Sequence, residues 1–190
     1  MKKKNRKRIC SILVAMALVV STSFFVWSAA GVSFVTKVNV GKELRNDYSG
    51  FVGMRIKIGG KDIKVLELGR YFEKSNTQSH ELQIVDPKTN QVLGSVTVDM
   101  AKGKADGLDF KYGSLKTPVT LKANMEYDIV SKETQNGDKW YGKTNGNMAR
   151  LGVTNAGKAF LQIYGTKPPF TNAAQATNQT YGPLNFKYQP

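Results

Sequence analysis

Beyond residue 31 no segment sustains an apolar period of 3.6 residues, and this constrains the fold more than any single motif. The chain instead offers short alternating runs of β-branched and aromatic residues, separated by Gly, Asn, Asp and Pro. Strands are expected at 34–40, 51–58, 62–72, 80–86, 92–100, 108–112, 119–121, 125–133, 148–153, 159–164 and 184–188. Gly59-Gly60 reads as a tight hairpin between the second and third runs. Asp86-Pro87-Lys88-Thr89-Asn90 reads as a turn with Pro pre-setting its backbone angle. Residues 41–50 read as a polar loop, and 166–180, rich in Pro, Asn, Ala, Gln and Thr, as a long surface loop. The expected fold is all-β: a jelly-roll-like antiparallel β-sandwich following an N-terminal signal helix.

The signal helix is read from residues 1–30. Lys2, Lys3, Lys4, Arg6, Lys7 and Arg8 lead into an apolar stretch from Ile9 to Trp27, which exits through Ser28-Ala29-Ala30. A basic cluster, an apolar run and a small-residue exit make a secretory signal, with cleavage expected after Ala30. The rival reading is an uncleaved anchor, because apolar character persists to Val35 and would span a bilayer. Contact with a membrane is expected only if the segment is retained. Residues 31–190 then form one sandwich domain, secreted or displayed on the cell surface of a bacterial-type organism.

Removing the segment changes what charge and cysteine content imply. Six of the 28 basic residues lie in residues 1–8 and all 14 acidic residues lie beyond residue 30, so net charge falls from +14 to +8. The one cysteine, Cys10, leaves with the segment. A domain of about 160 residues can bury a sufficient core without disulfides. The residual positive charge suits anionic cell-wall polymers or acidic polysaccharides. Nucleic acid is not an expected partner, because lysines such as Lys57, Lys61, Lys64 and Lys74 are spread singly, with no basic run or helix face.

Strand alternation makes the most pointed chemical suggestion. In 125–133, Met125, Tyr127, Ile129, Ser131 and Glu133 share a face; in 80–86, His80 shares its face with Leu82 and Ile84. In 62–72, Arg70 shares its face with Leu66, Leu68 and Phe72. Arg70, His80 and Glu133 therefore converge at one edge of the core if their strands are neighbours. Two readings stand side by side: polar groups at the mouth of a ligand cavity, or an ion pair with a bonded histidine that satisfies charges near the core. A second constellation follows a turn at Asn136-Gly137: Asp138, then Trp140 and Tyr141. An exposed indole and phenol beside Asp and Glu suit stacking on a sugar ring with hydrogen bonds to its hydroxyls; the alternative is an aromatic that caps the core.

Catalytic signatures do not assemble. The exported part has no cysteine, a single histidine, no Gly-x-Ser-x-Gly elbow and no zinc-ligand spacing. Glu133 with Asp138, or Glu126 with Asp128, would serve as a glycosidase carboxylate pair, but such pairs arise readily among 14 acids. No cofactor is expected. Asp106-Gly107-Leu108-Asp109 is a weak structural Ca²⁺ candidate, since it lacks the alternating acids of a calcium loop.

Several of these segments also resemble a family of β-sandwich accessory modules in secreted bacterial proteins, often appended to glycoside hydrolases and other cell-surface enzymes. The similarity runs through Leu68-Gly69-Arg70-Tyr71, Ser75-Asn76, His80-Glu81-Leu82-Gln83-Ile84-Val85-Asp86, Ser131-Lys132-Glu133, Gly137-Asp138 and Trp140-Tyr141. It returns in the closing Tyr181-Gly182-Pro183-Leu184-Asn185-Phe186-Lys187-Tyr188. The resemblance implies a non-catalytic module with Arg70, His80, Glu133, Asp138, Trp140 and Tyr141 as the positions of interest. The leading expectation is an exported, non-catalytic module that binds carbohydrate or cell-wall polymer. The alternatives are a structural or protein-interaction module of the cell envelope and, third, a polysaccharide hydrolase.

Overall fold

A computed structural model of the chain describes residues 31–142, 149–175 and 177–190. The expected signal helix, its cleavage site and Cys10 lie outside the described residues. Every regular element among the described residues is a strand, and we number these β1 to β15 along the chain. The larger sheet has six strands in the order β13 (Thr171–Gln175), β12 (Gly157–Gly165), β4 (Gly50–Ile58), β9 (Glu126–Glu133), β6 (Ser79–Val85), β7 (Val92–Asp99). A four-stranded sheet runs β1 (Val32–Ser33), β15 (Leu184–Gln189), β5 (Ile63–Tyr71), β8 (Phe110–Leu121). Two small sheets complete the molecule: β14 (Gln179–Thr180), β11 (Ala149–Val153), β2 (Val35–Asn39), and the pair β10 (Trp140–Tyr141) with β3 (Leu44–Arg45). All pairings are antiparallel.

The two larger sheets share one core in a sandwich-like arrangement. Met54, Ile56 and Ile58 of β4, Ile129 of β9, and Leu82 and Ile84 of β6 pack with Ile63, Val65 and Leu68 of β5 and Leu184 and Phe186 of β15. Each such side chain, fully buried, contributes about 1.5–3 kcal/mol. Phe34 stacks on Phe186 at 4.5 Å, tying the first described residues to the last strand. The opposite face of the larger sheet carries a smaller cluster of Phe51, Val85, Val130, Leu161, Ile163 and Phe170.

Four expectations need correction. Gly59-Gly60 is not a hairpin turn: β4 and β5 belong to different sheets, so the chain crosses the core there. Both flanking strands are buried on their inner faces, and placing them in opposite layers lets each line the same core. The runs 108–112 and 119–121 fall within one strand, β8, despite Gly113 and Pro118. β8 is an edge of its sheet, where a residue lacking an N–H removes no ladder bond. The stretch 166–180 is not one loop, since β13 and β14 occupy it, pairing with β12 and β11 and following a buried Phe170. The stretch 41–50 likewise holds the short strand β3.

Candidate functional site

Arg70, His80 and Glu133 do converge, and the strand ladder explains it. Leu82 pairs with Ser131 across β6 and β9, which brings His80 beside Glu133 two residues further on. Arg70 reaches over from β5 in the facing sheet. Its Nε and Nη2 donate to the two oxygens of Glu133 at 3.0 and 2.9 Å, a bidentate pair bridging the layers. Ser131 Oγ donates to Glu133 Oε1 at 2.7 Å. The imidazole of His80 places Nδ1 3.0 Å from the Lys132 carbonyl and Nε2 3.1 Å from Asp138 Oδ2. Each ring nitrogen thus has an oxygen partner. Asp138 also accepts from the backbone N–H of Thr77 and Gln78, at 2.9 and 2.8 Å. Burial works to raise the Asp138 carboxyl, but the Thr77 N–H, the His80 ring and the Gln78 N–H outweigh it and hold it below its ordinary value.

Asn76, which the sequence reading left outside the site, closes the network. Its amide donates to the Lys139 carbonyl at 2.8 Å and accepts from the Lys139 N–H at 3.0 Å. Arg70 Nη2 adds a bond to the same carbonyl at 3.2 Å. Arg70, Asn76, His80, Glu133 and Asp138 are all buried. Their bonds run to one another, to groups of Tyr71, Thr77, Gln78, Ser131 and Lys132, and to Lys139 in the turn between β9 and β10, in which Asn136 takes the left-handed conformation (φ 62°). What these residues hold is the backbone leading into Trp140. Both Glu133 and Asp138 are buried against the same imidazole, with Glu133 Oε2 3.3 Å from Nδ1 and Asp138 Oδ2 3.1 Å from Nε2, rather than facing each other across a substrate as a glycosidase pair does. Asp128 is buried and bonded bidentately by Arg55 at 2.6 and 2.9 Å.

Trp140 and Tyr141 part company, as neighbours on a strand must. Tyr141 donates its hydroxyl to Glu73 Oε2 at 2.8 Å and packs edge-on against Tyr71. Trp140 faces the other way. It is only 4 % exposed, yet it lines a cleft of about 360 Å³ whose other walls are Arg45, Tyr48, Val52, Tyr164, Asn172, Ala173 and Tyr181. The Arg45 guanidinium lies 4.8 Å from the centre of the indole. Tyr181 meets Trp140 edge-on at 6.2 Å, and Tyr164 meets both Tyr48 and Tyr181 edge-on. Among the described residues the indole Nε1 is buried without a hydrogen-bond partner.

The sequence reading therefore found Trp140 but missed its companions. Arg45 with Tyr48, then Tyr164, Asn172 and Tyr181, come from four separate stretches of chain. The available signal was Tyr164, a large aromatic left exposed at the end of β12. Among the described residues no three of His, Cys, Asp and Glu group as metal ligands. At the weak Ca²⁺ candidate, Asp106 instead accepts from the N–H of Leu108 and Phe110 and from the Tyr112 hydroxyl.

Comparison of the sequence with protein-family models and with curated proteins finds no match. The resemblance to secreted accessory modules rests on the quoted motifs alone.

Proposed function

We propose that the protein is an exported, non-catalytic module that binds carbohydrate or cell-wall polymer in the cleft beneath Tyr164. The observation that carries the reading is the wall of that cleft: Trp140, Tyr48, Tyr164 and Tyr181 surround about 360 Å³, with Arg45 and Asn172 on the rim. Flat aromatic surface stacks on the apolar face of a pyranose, and a few fixed polar groups orient it. Arg70 and Asp138 act as positioning residues: Arg70 bonds the Lys139 carbonyl next to Trp140, Asp138 ties the same turn to the Thr77 and Gln78 N–H groups, and Glu133 and His80 hold these two in place. Export rests on the composition of residues 1–30, and the jelly-roll description on the chain's repeated crossing between the two larger sheets.

A glycan and wall-polymer array tests the proposal. Wild type binds at least one saccharide, Tyr164→Ala loses at least tenfold in affinity without a change in Tm, and Tyr141→Ala retains binding. Tyr164 is the better probe than Trp140 because it is 38 % exposed, so truncating it leaves the fold intact. Absence of any saccharide or wall binding by wild type overturns the reading. It would favour instead a structural or protein-interaction module of the envelope, which the complete satisfaction of the buried Arg70 network also suits.

A further inference from the structure

The cleft's polar groups are biased toward donors, and this bears on which saccharides fit. Resting on the saccharide reading, we propose that the cleft selects a sugar unit carrying an oxyanion, a carboxylate or a phosphate, with the Arg45 guanidinium as its partner. Among the described residues no Asp or Glu lines the cleft. Its side-chain polar groups are a guanidinium, phenols, one amide and the indole Nε1 that has no partner among the described residues. Phenols ionise only at about pH 10, so Tyr48 and Tyr181 are O–H donors at neutral pH, and burial pushes both further up. A guanidinium and an indole can only donate. A neutral sugar presents hydroxyls that both donate and accept, whereas an oxyanion presents acceptors alone and forms charge-assisted bonds.

Arg45 is also held ready. Asp47 accepts from its Nε and Nη2 at 2.9 and 3.1 Å, while the indole supports the guanidinium from beneath at 4.8 Å. No described hydrogen bond uses Nη1. Asp47 is 64 % exposed and lies outside the cleft wall, so its hold on Arg45 is that of a surface pair, which an incoming anion can outcompete. Asp47 thus orients the guanidinium and also offsets part of its charge.

Binding of wild type, Arg45→Gln, Asp47→Asn and Lys61→Gln is measured at physiological salt. The probes are a polyuronate, its fully methyl-esterified form and a glycerol-phosphate wall polymer bearing sugar. Lys61 lies beside a different cavity, between β4 and β5, and its loss removes the same unit of charge. Wild type is expected to bind one or both charged polymers at least tenfold more tightly than the ester, and which of the two it takes identifies the oxyanion. Arg45→Gln removes that preference while keeping ester binding, Asp47→Asn strengthens binding of the charged polymer, and Lys61→Gln changes neither. Equal binding of ester and charged polymers overturns the inference but leaves the saccharide reading standing. So does a preference lost equally in Arg45→Gln and Lys61→Gln, which marks long-range attraction by the +8 surface. No binding of any of the three polymers overturns the inference, and the glycan array then decides whether the saccharide reading stands.

Discussion

Arg70 and Glu133 form the one described ion pair that joins the two main sheets with both side chains almost wholly out of water, at 3 % and 1 % exposure. Removing one member of such a pair leaves a buried charge without its partner, a loss of about 3–5 kcal/mol. Glu133→Ala is expected to lower unfolding stability by that amount in urea titrations at pH 7; a loss below 1 kcal/mol would show that water or a neighbour takes the carboxylate's place. Asp138 makes a pH-dependent contribution. Its folded carboxyl is held below the unfolded value, so the unfolded chain binds more protons in the acid range. The stability it supplies is full above the ordinary carboxylate range and is lost as pH falls through the folded value. Asp138→Asn should therefore flatten the acid limb of a plot of Tm against pH, and an unchanged limb would contradict the assignment. The convergence of Arg70, His80 and Glu133 was legible because their strands keep strict alternation over the last residues before the edge. Leu66 was misplaced: the register shifts between Val65 and Glu67, so Val65 fills the core and Leu66 is left half-buried. No sequence signal marks that bulge.

Single side chains also replace missing ladder bonds between elements. β15 joins β2 through Asn185, whose Oδ1 accepts from the N–H of Val35 at 2.8 Å and whose Nδ2 donates to the Val35 carbonyl at 3.2 Å. The same Nδ2 donates to the Tyr112 hydroxyl of β8 at 2.8 Å, so one buried amide links three strands. Asn185→Ala takes this partner from the Val35 N–H and carbonyl and is expected to cost about 1–3 kcal/mol. Hydrogen exchange of the Val35 amide should accelerate selectively; protection equal to wild type would refute the link. At this scale the sequence indicated strands well and partners poorly. The turn at Asp86–Asn90 joins true neighbours, β6 and β7, because Asp86 caps it through the Lys88 N–H at 2.8 Å. Gly59-Gly60 has equally good turn chemistry but sits at a crossing between layers. Turn residues report that the chain bends, not which sheet it enters.

For the whole molecule, the cleft should couple ligand to stability. A saccharide that binds only the folded state adds about 2.7 kcal/mol at a hundred times its Kd. Thermal unfolding of wild type with a bound saccharide should shift upward, and Tyr164→Ala should show no shift at the same concentration. A shift retained in Tyr164→Ala would place the ligand elsewhere, for example at the cavity formed by Gly59–Ile63, Asn155 and Tyr188. The donor-biased wall at Arg45 and the positively charged surface act at different ranges. On the proposed reading, the charge would concentrate anionic polymers near the molecule, and the cleft would discriminate among them.

The sequence by itself determined that the chain beyond residue 31 is built of strands, roughly where they lie, and that Arg70, His80 and Glu133 would meet at the edge of the core if their strands were neighbours. Those properties follow from local alternation, turn chemistry and the cost of burying unpaired charge, all of which are written over a few residues. Only the tertiary structure decided the two-layer pairing, the interior position of the Arg70–Glu133–His80–Asp138 network and the cleft itself. Arg45, Tyr48, Trp140, Tyr164 and Tyr181 are brought together from strands and loops far apart in the chain. Their proximity depends on long-range register, which no local pattern encodes. Trp140 was visible from the start as an aromatic after a turn; its burial on one side and its open cleft on the other were not.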